Sequence, residues 1–454
     1  MEYDLIIIGC GSAGTEAAKE ALKYTKKVLC IEKTPEDIGG TCLNKGCVPT
    51  KFLREGATLV EKINSAGFYG IEASIGGINL IEAISSGKEK VIKPVRDGLY
   101  KYLKGKGVKF HFAKGVKFTD NQTVKTTDGK TFKGKYFLIA TGSSPSKVPN
   151  VEPDGEFILD TNSFWDLRQT PRRVLIVGGG VSGVEFAHIL KNYGVEEVFV
   201  VELAKEILPT VNFPRDMVKR LERKLKAEGI KILTSTVVEE INRSTGEVKL
   251  SNGDTLKVDR VLLTVGRRPN TAGLNLEGIG VALNTRGYVE VDGNYRSSVE
   301  NIYAAGDVIP TPALAHVAKH EAICAVRNIF RTDRVNPCSL DYTNIPSVVY
   351  SAYELGGFGY GDRELKELGY RFKPVMLNFR SVAKALAEGE EGLIKVFLSE
   401  KGYILGGFVL SKKHTDSLVH LLLMAKSENW TPEKFRDFVF AHPTVDEVLE
   451  NLGG

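Results

Sequence analysis

The 454-residue sequence lacks any segment that would tie the protein to a membrane. No window approaches the ~18 consecutive apolar residues of a membrane-spanning helix. The N-terminus, MEYDLIIIGC, has no positively charged region and only a short apolar run, which argues against a signal peptide. We therefore expect a cytoplasmic protein with no membrane partner, in a compartment that keeps thiols reduced.

A large excess of charge and low-complexity sequence are also missing. The net charge is +5, which is too small over this length to indicate a nucleic acid or another polyanion as a partner. No long linker interrupts the chain. Length alone predicts about three domains of ~150 residues.

Cysteine is scarce, and its distribution argues against a zinc site. Four of the six cysteines, Cys10, Cys30, Cys324 and Cys338, are scattered and form neither a CxxC motif nor a Cys/His cluster. Zinc sites usually combine a close pair with a second pair of ligands. We therefore predict no metal site.

What the sequence does contain is an internal duplication. The segments YDLIIIGCGSAGTEAA, from Tyr3, and RRVLIVGGGVSGVEFA, from Arg172, each consist of a β-branched run, a GxGxxG turn and the start of a helix. A second strand follows each and ends in an acid, Glu32 in VLCIEK and Glu202 in VFVVEL. Two complete strand–glycine–helix–strand–acid units predict two dinucleotide-binding sites.

The glycines and acids of these units have distinct physical tasks. We expect a tight turn at Gly9 and Gly178. Gly11 and Gly180 would let the backbone approach a pyrophosphate closely, and Gly14 and Gly183 would let the helix pack closely. The acids are expected to bind ribose hydroxyls. Glu202 would repel a 2′-phosphate, and LAKEILP after it offers no arginine cluster, so the second site favours NAD over NADP.

The remaining cysteines form a pair in IGGTCLNKGCVPTK, with four residues between Cys42 and Cys47. In a regular helix their Cα atoms would be ~8.7 Å apart, beyond the ~7 Å limit of a disulfide. A bond between them therefore requires bent backbone, for which Asn44 and Gly46 are suitable. The following VPTKFLREGATLVEKI is typical of a helix with Pro49 in its first turn, and a helix N-terminus lowers the pKa of a thiol. The pair is predicted to be a redox centre.

The segment AHPTVDEVLE near the C-terminus offers a base for thiol chemistry. His442 lies five residues before Glu447, close enough for the carboxylate to orient the imidazole. A His-Pro in a loop is more often structural when taken alone. The cysteine pair and the two nucleotide sites favour the catalytic interpretation.

Together these residues resemble the flavoprotein disulfide reductases, over essentially the whole chain. The motifs that carry the resemblance are GGTCxNxGCxPxK at 39–51, ATG at 140–142, GGGxxGxE at 178–185, GRRPN at 266–270, AAGD at 304–307 and HPTxxE at 442–447. The resemblance implies an α/β fold with two Rossmann-like dinucleotide-binding domains and a C-terminal α+β dimerisation domain. The implied bounds are 1–145 and 270–338 for the FAD-binding part, 146–269 for the NAD-binding domain, and 339–454 for the dimerisation domain.

By this resemblance the first unit holds FAD and the second holds NAD. It implies that Glu32 binds the adenine ribose of FAD, and that Asp307 binds the ribityl–phosphate portion. Ala315 and His316 would line the flavin ring through backbone groups. Further cofactor contacts are implied for Gly40, Thr41, Lys51, Thr141, Gly142 and Gly266.

The resemblance also assigns roles in catalysis. Lys51 would pair with Glu185 beside the flavin. In a redox-active Cys42–Cys47 disulfide, Cys47 would be nearest the flavin and Cys42 would exchange with substrate. His442 and Glu447 would come from the other subunit of a homodimer.

Within the family, LNKGC, Gly183, Glu202 and LAHVA resemble the dihydrolipoamide dehydrogenases. That branch implies oxidation of dihydrolipoyl groups with NAD⁺, and a lipoyl-bearing partner protein from a 2-oxoacid dehydrogenase, glycine cleavage or similar complex. The stretches SAYELGGFGYGD and LSKKHTDSLVHLLLMA depart from the branch. The alternatives are an NADH-dependent reductase of another small disulfide, of the glutathione, mycothiol or coenzyme A type, and a non-enzymatic FAD-binding redox sensor.

Overall fold

The chain combines strands and helices from end to end. A computed structural model describes residues 2–148, 151–331 and 337–453. The strands of these residues are β1 (Glu2–Ile8), β2 (Val28–Glu32), β3 (Lys109–Phe112), β4 (Val116–Asp120), β5 (Thr123–Thr126), β6 (Thr131–Ile139), β7 (Ser143–Pro145), β8 (Ile158–Asp160), β9 (Arg173–Val177), β10 (Glu197–Val201), β11 (Lys231–Leu233), β12 (Val238–Asn242), β13 (Glu247–Leu250), β14 (Thr255–Lys257), β15 (Arg260–Leu263), β16 (Arg267–Pro269), β17 (Ile302–Ala304), β18 (Ser347–Tyr350), β19 (Glu354–Gly359), β20 (Phe372–Asn378), β21 (Leu393–Ser399) and β22 (Ile404–Ser411).

Most α-helices of the same residues lie between these strands, and the last two follow β22. They are α1 (Ser12–Ala21), α2 (Gly40–Asn44), α3 (Cys47–Asn64), α4 (Leu80–Gly87), α5 (Lys93–Gly105), α6 (Val181–Asn192), α7 (Arg215–Ala227), α8 (Ala315–Phe330), α9 (Asp362–Glu367), α10 (Ala383–Ala387), α11 (Thr415–Ser427) and α12 (Pro432–Asp437).

The first sheet has the strand order β3-β2-β1-β6-β5-β4, with β17 also paired to β6. Its inner strands are parallel, and β5 and β4 extend it as an antiparallel hairpin. The apolar run Leu5–Ile8 of β1 is buried, as is usual for an inner strand of a parallel sheet. The glycine turn that follows β1 therefore starts from a fixed position at the carboxyl end of the sheet, where ligands bind in such folds.

The second sheet repeats this arrangement. It is parallel throughout, with the order β11-β10-β9-β15-β8. The β9–α6–β10 segment corresponds to β1–α1–β2, which confirms the predicted duplication. The antiparallel pair of β7 and β16 lies where the chain enters and leaves this second unit.

Both GxGxxG turns show two of the three features expected of their glycines, the tight turn and the close packing of the helix. Gly9 and Gly178 have φ values of +94° and +105°, a region that favours glycine. A Cβ on Gly14 would lie 1.9 Å from the Gly9 carbonyl oxygen, and one on Gly183 would lie 1.9 Å from that of Gly178. The close packing of each helix on its turn thus requires glycine.

The C-terminal region forms an antiparallel sheet with the order β18-β19-β22-β21-β20, against which α11 packs. It has a core of its own, built from strands β19 to β22, α11 and the C-terminal residues. The structure confirms the predicted α/β architecture with two Rossmann-like units and an α+β C-terminal part. The numerical domain bounds drawn from the sequence stay a prediction.

The cysteines differ from the sequence-based expectation. Cys324 in α8 is bonded to Cys338, 14 residues later, a pairing that was not predicted from the sequence. Cys42 and Cys47 are free thiols, so the structure shows the predicted redox pair in its reduced form and without the expected disulfide. The sequence analysis missed the Cys324–Cys338 bond because neither residue belongs to a recognisable motif.

The Cys324–Cys338 bond should stabilise the junction between α8 and the C-terminal region. Closing a loop of this length typically contributes about 3 kcal/mol by restricting the unfolded chain. We expect Cys338→Ser to lower the Tm by several degrees in a thermal unfolding measurement. Reductant should lower the Tm of the wild type by several degrees more than that of the variant, because both proteins share the reducible Cys42–Cys47 pair and only the wild type also has the Cys324–Cys338 bond. An equal effect of reductant on both proteins would show that the bond contributes nothing.

Candidate active site

A cavity of about 2230 Å³ lies between the first glycine turn, the cysteine segment, the N-terminus of α8 and part of α11. The predicted site residues that line it are Gly9, Gly11, Glu32, Gly40, Thr41, Cys42, Cys47, Lys51, Thr141, Gly142, Glu185, Asp307, Ala315 and His316. The predicted site residues that do not line it are Gly14, Gly178, Gly180, Gly183, Glu202, Gly266, His442 and Glu447. The structure therefore gathers the redox pair and the first nucleotide unit around one space.

The cysteine pair sits on two consecutive helices. Cys42 belongs to α2, and Cys47 is the first residue of α3. The backbone leaves the helical conformation at Lys45 (φ −143°, ψ 5°) and Gly46 (φ −128°, ψ −113°). The predicted bend is present, but Lys45 rather than Asn44 forms it with Gly46. The Asn44 side chain instead donates to carbonyls earlier in the turn.

The two thiols have opposite electrostatic environments. A hydrogen bond from the Cys42 thiol, with a smaller contribution from the Lys51 charge, lowers the pKa of Cys47 to about 7. The same hydrogen bond and burial raise the pKa of Cys42. At pH 7 a large fraction of Cys47 is therefore thiolate, whereas Cys42 keeps its proton. This asymmetry gives the two thiols different chemical tasks.

The Lys51–Glu185 pair predicted from the motifs is present. Lys51 Nζ lies 2.7 Å from Glu185 Oε1, and the Tyr350 backbone N–H donates to the same oxygen at 2.9 Å. The ammonium also lies 4.2 Å from the centre of the Tyr350 ring. Lys51 is on the redox helix α3, Glu185 is on α6 of the second unit, and Tyr350 ends β18. The pair thus joins three parts of the chain, and the sequence analysis missed the contribution of Tyr350.

The acids at the ends of β2 and β10 make equivalent contacts. Glu32 Oε2 accepts a hydrogen bond from the Cys10 N–H at 2.6 Å, and Glu202 Oε2 accepts one from the Gly179 N–H at 2.7 Å. Burial raises the pKa of Glu32. Each acid is therefore held against the glycine turn of its own unit, where a bound nucleotide would place its ribose.

Asp307 is part of a polar group that the sequence analysis did not assemble. The Ser143 hydroxyl donates to Asp307 Oδ2 at 2.6 Å and accepts from Arg267 Nε at 2.7 Å. The sequence motif GRRPN contains Arg267, but no role was predicted for this residue. Arginine is a common residue for phosphate recognition. The group lies at the β7–β16 pair, and Asp307 and Arg267 both line the cavity.

The N-terminus of α8 closes one wall of the cavity. Ala315 and His316 are its first two residues, and the unpaired N–H groups of a helix N-terminus favour an electron-rich partner. The His316 side chain donates from Nε2 to the Pro346 carbonyl at 2.9 Å. Burial lowers the pKa of His316, which keeps the imidazole neutral.

His442 and Glu447 form the predicted dyad, away from the cavity. His442 Nδ1 lies 2.7 Å from Glu447 Oε1, and the Thr444 N–H donates to Glu447 Oε2 at 2.7 Å. The hydrogen bond from Thr444 and then that from His442 lower the pKa of Glu447. The His442 side chain is 76% exposed, so it presents an oriented base on the surface of its own chain.

A basic group on the cavity wall was missed by the sequence analysis. Lys319 and His320, in the second turn of α8, and His420 of α11 line the cavity. The positive charge of Lys319 acts to lower the pKa of Cys42, so its ammonium is close enough to influence that thiol. The Cys42 side of the cavity is therefore suited to a group that carries negative charge.

Models of known protein families match both the N-terminal and the C-terminal part of the chain. The model of the pyridine nucleotide-disulphide oxidoreductase family matches residues 3–322, and that of the pyridine nucleotide-disulphide oxidoreductase dimerisation domain matches residues 345–452. The second match supports a homodimer. No helix of the described residues is long and apolar enough to cross a membrane.

Curated relatives are similar over nearly the whole chain. Dihydrolipoyl dehydrogenase of Geobacillus stearothermophilus is 33% identical over 99% of this chain and 95% of its own. Mitochondrial dihydrolipoyl dehydrogenase of Pisum sativum is 32% identical over 99% and 90%, and leghemoglobin reductase of Glycine max is 31% identical over 99% and 86%.

Solved structures show the same fold. The HOCl-induced flavoprotein disulfide reductase RclA from Escherichia coli has a TM-score of 0.87 at 26% identity and covers 99% of both chains. LpdA from Mycobacterium tuberculosis has a TM-score of 0.89 at 25% identity, over 99% of this chain and 98% of its own. The chain belongs to the pyridine nucleotide-disulphide oxidoreductase family. It is a flavoprotein disulfide oxidoreductase that uses FAD and NAD(H).

The lowered pKa of Cys47 should depend on a donor at position 42. Cys42→Ser keeps a hydroxyl donor, whereas Cys42→Ala removes it. We expect the rate of alkylation of Cys47 by iodoacetamide to rise with pH around a midpoint of about 7 in the serine variant. The midpoint should be higher in the alanine variant, because its thiolate has lost its hydrogen bond. Equal midpoints in the two variants would contradict this account.

Nucleotide choice should depend on the charge of Glu202. Glu202→Gln keeps an oxygen that can accept from the Gly179 N–H but removes the charge that a 2′-phosphate would face. Juxtaposed like charges cost several kcal/mol, so the preference for NADH over NADPH in kcat/KM should narrow by at least ~10-fold. Glu197→Gln, on the same strand, is the matched control. A wild type with equal kcat/KM for both nucleotides would refute the assignment.

Proposed function

We propose that this protein is a dihydrolipoyl dehydrogenase, which oxidises protein-bound dihydrolipoyl groups and reduces NAD⁺ to NADH. The observation that carries the proposal is the Cys42–Cys47 pair on the wall of a cavity that also contains the first glycine turn and the Lys51–Glu185 pair. Full-length similarity to dihydrolipoyl dehydrogenases supports it. So do the surface-exposed His442–Glu447 dyad and the dimerisation domain.

The residues around the cavity fit an extended dinucleotide. A volume of about 2230 Å³ exceeds the ~300–1,000 Å³ of pockets for drug-sized ligands. We assign FAD to the first unit, with Glu32 at the adenine ribose and Asp307 at the ribityl–phosphate portion. We assign NAD to the second unit, where a Cβ on Gly180 would meet no atom within 4 Å. That open space fits close approach of the backbone to a pyrophosphate.

In this proposal the remaining glycines and the two threonines of the motifs contribute backbone groups. Gly40 and Thr41 begin α2 beside the first turn. The Thr141 hydroxyl donates to the Asn270 carbonyl, and the Asn270 N–H donates to the Gly142 carbonyl. Gly266 has a φ of +94°, which aims the following Arg267 back toward Ser143. These contacts fix the ATG and GRRPN segments to each other at the cavity.

Substrate oxidation begins from the disulfide form of the pair. His442 of the other subunit takes a proton from one substrate thiol, and the thiolate attacks Cys42 Sγ. The Cys42–Cys47 bond breaks and Cys47 leaves as a thiolate, which its low pKa favours. His442 then releases its proton to solvent and accepts the proton of the second substrate thiol, and the resulting thiolate attacks the substrate sulfur of the mixed disulfide. The Cys42 sulfur leaves and takes that second proton from His442. The products are a lipoyl disulfide and the reduced Cys42–Cys47 pair.

Reoxidation of the pair completes the reaction. Bound FAD supplies the two-electron relay from the dithiol to NAD⁺. The Lys51 ammonium, fixed by Glu185, stabilises the Cys47 thiolate during this step. Because only Cys47 has its pKa lowered, the electrons leave from this sulfur, while Cys42 stays available to substrate.

The base must be supplied between subunits in this proposal. His442 does not line the cavity of its own chain, and its imidazole is 76% exposed. Glu447 holds the ring and stabilises the positive charge that proton transfer creates. A homodimer that places the dyad over the partner's cavity explains why His442 is exposed and why it does not line the cavity of its own chain. The physiological thiol donor is then a lipoyl-bearing protein of a 2-oxoacid dehydrogenase, glycine cleavage or similar complex.

A second candidate is supported by the basic group on the cavity wall. Lys319, His320 and His420 would attract an anionic disulfide, such as one of the glutathione or coenzyme A type, to Cys42. Lipoyl groups carry no such charge at the reacting end. This candidate is an NADH-dependent disulfide reductase, and it runs the same chemistry in the opposite direction.

The role of His442 can be tested by separating thiol chemistry from flavin chemistry. We expect His442→Ala to slow oxidation of dihydrolipoamide by NAD⁺ by ~10² or more, the usual scale for a general base. Oxidation of NADH by an artificial acceptor that takes electrons directly from the flavin should be nearly unchanged. Equal losses in both assays would indicate a structural role for His442.

The two candidates predict effects of different size for a charge reversal at Lys319. If the substrate is a lipoyl group, Lys319→Glu should leave its kcat/KM within about twofold. If the substrate is an anionic disulfide, the same change should lower its kcat/KM roughly 5-fold or more, the order expected for one exposed charge. Lys101→Glu, on α5 and outside the cavity wall, is the control. A wild type that reduces glutathione or coenzyme A disulfides faster than it oxidises dihydrolipoamide would overturn the lipoyl proposal.

A further inference from the structure

We propose that Glu61, His188 and Glu228 form a binding site for a divalent transition-metal ion, separate from the redox cavity. One ligand atom from each side chain lies within 4.8 Å of the other two. Glu61 is near the end of α3, His188 is in α6, and Glu228 directly follows α7. None of the three lines the cavity. The site goes beyond disulfide oxidoreductase activity and does not depend on which disulfide is the substrate.

The imidazole of His188 carries the proposal. The side chain is fully buried. Its Nδ1 lies 3.1 Å from Glu228 Oε2 and 3.3 Å from Asn192 Nδ2, whereas its Nε2 has no hydrogen-bond partner among the described residues. Buried polar atoms without a partner are rare, because each loses its hydration and gains no hydrogen bond in exchange. Nδ1 of His188 therefore has a hydrogen-bond partner, and Nε2 is free to bind a further ligand.

The unpartnered nitrogen faces a carboxylate. Glu61 Oε1 lies 3.8 Å from His188 Nε2, which is too long for a hydrogen bond. When Nδ1–H donates to Glu228, Nε2 presents its lone pair. A lone pair and a carboxylate oxygen repel each other unless a cation lies between them. Hydrogen bonding of the opposite ring nitrogen to a carboxylate is the arrangement that orients histidine ligands of metals.

The distances suit an ion such as Zn²⁺. Zn–N bonds of ~2.0–2.1 Å and Zn–O bonds of ~2.0–2.2 Å place two ligands of a tetrahedral ion about 3.4 Å apart. A small shift of the Glu61 side chain closes the difference from 3.8 Å. Glu228 Oε1 also has no hydrogen-bond partner, although the Lys224 ammonium lies 3.3 Å from it. The Glu61 side chain is 33% exposed, which gives the ion a path from solvent and leaves a position for water.

The location gives the ion a structural consequence. His188 is one turn after Glu185 on α6, and Glu61 is on the helix that carries Lys51. The ion would therefore clamp the two helices that hold the Lys51–Glu185 pair. It would lie ~20 Å along α3 from Cys47, from a rise of 1.5 Å per residue. Its expected role is to stabilise the contact between the redox helix and the second nucleotide unit.

Zn²⁺ binding to the FAD-loaded homodimer tests the site. The protein is stripped with a chelator and kept oxidised, so that Cys42 and Cys47 cannot bind the metal. Isothermal titration calorimetry should show one Zn²⁺ per chain, and Zn²⁺ should raise the Tm by several degrees. Glu61→Gln weakens a direct ligand, and loss of a supporting residue such as Glu228 usually costs 10–100-fold in metal affinity, so Glu61→Gln and Glu228→Gln should each weaken binding at least ~10-fold. Glu55→Gln, an exposed position on the same helix, should not weaken it.

A cobalt spectrum identifies the ligands. Co²⁺ bound at this site should show d–d bands without thiolate-to-cobalt charge-transfer absorption, since the ligands are nitrogen and oxygen. If the cluster is only a protonated imidazole between two carboxylates, the wild type will bind Zn²⁺ no more tightly than Glu61→Gln, and the proposal fails. Strong thiolate charge transfer would place the metal on cysteine and would overturn it as well.

Discussion

The ion pair between Lys51 and Glu185 is the contact on which the arrangement of the site depends. Glu185 is nearly fully buried, and its carboxylate would be costly to hold there without a cation. The pair accordingly fixes α3 against α6, and the Tyr350 N–H fixes β18 to the same oxygen. This one ion pair thus connects the redox helix, the second nucleotide unit and the C-terminal sheet.

The divided roles of the two thiols follow first from the hydrogen bond that Cys42 donates to Cys47, and second from the Lys51 charge in this ion pair. Because Lys51 is held by Glu185, its charge stays near Cys47, at the N-terminus of α3. Cys42 lies across the bend at Lys45 and Gly46, where its thiol can donate to Cys47 but loses hydration by burial. One sulfur becomes a stable thiolate and leaving group, and the other becomes the partner for exchange. No further residue is required to distinguish them.

The parts of the site that the sequence predicted are those encoded locally. These parts are the glycine turns with the acids that follow them, the helix after Cys47, and the His442–Glu447 spacing. Each of them spans fewer than about thirty residues, so its geometry follows from strand and helix periodicity. Lys51–Glu185 spans 134 positions, and only a resemblance to a family indicated it. The Ser143–Asp307–Arg267 group, the Cys324–Cys338 bond and the Glu61–His188–Glu228 cluster were not predicted. Their members are brought together by the packing of distant elements, and no spacing in the sequence signals it.

The central claim is that this chain stores electrons both in a cysteine pair and in a flavin, and passes them between the two. An anaerobic reductive titration of the FAD-loaded protein tests it most directly. The account predicts that full reduction takes four electrons per chain, two for the Cys42–Cys47 disulfide and two for FAD. After the first two, a long-wavelength charge-transfer band from the Cys47 thiolate to oxidised flavin should be present. Full reduction by two electrons, with no such band on the way, would contradict the account.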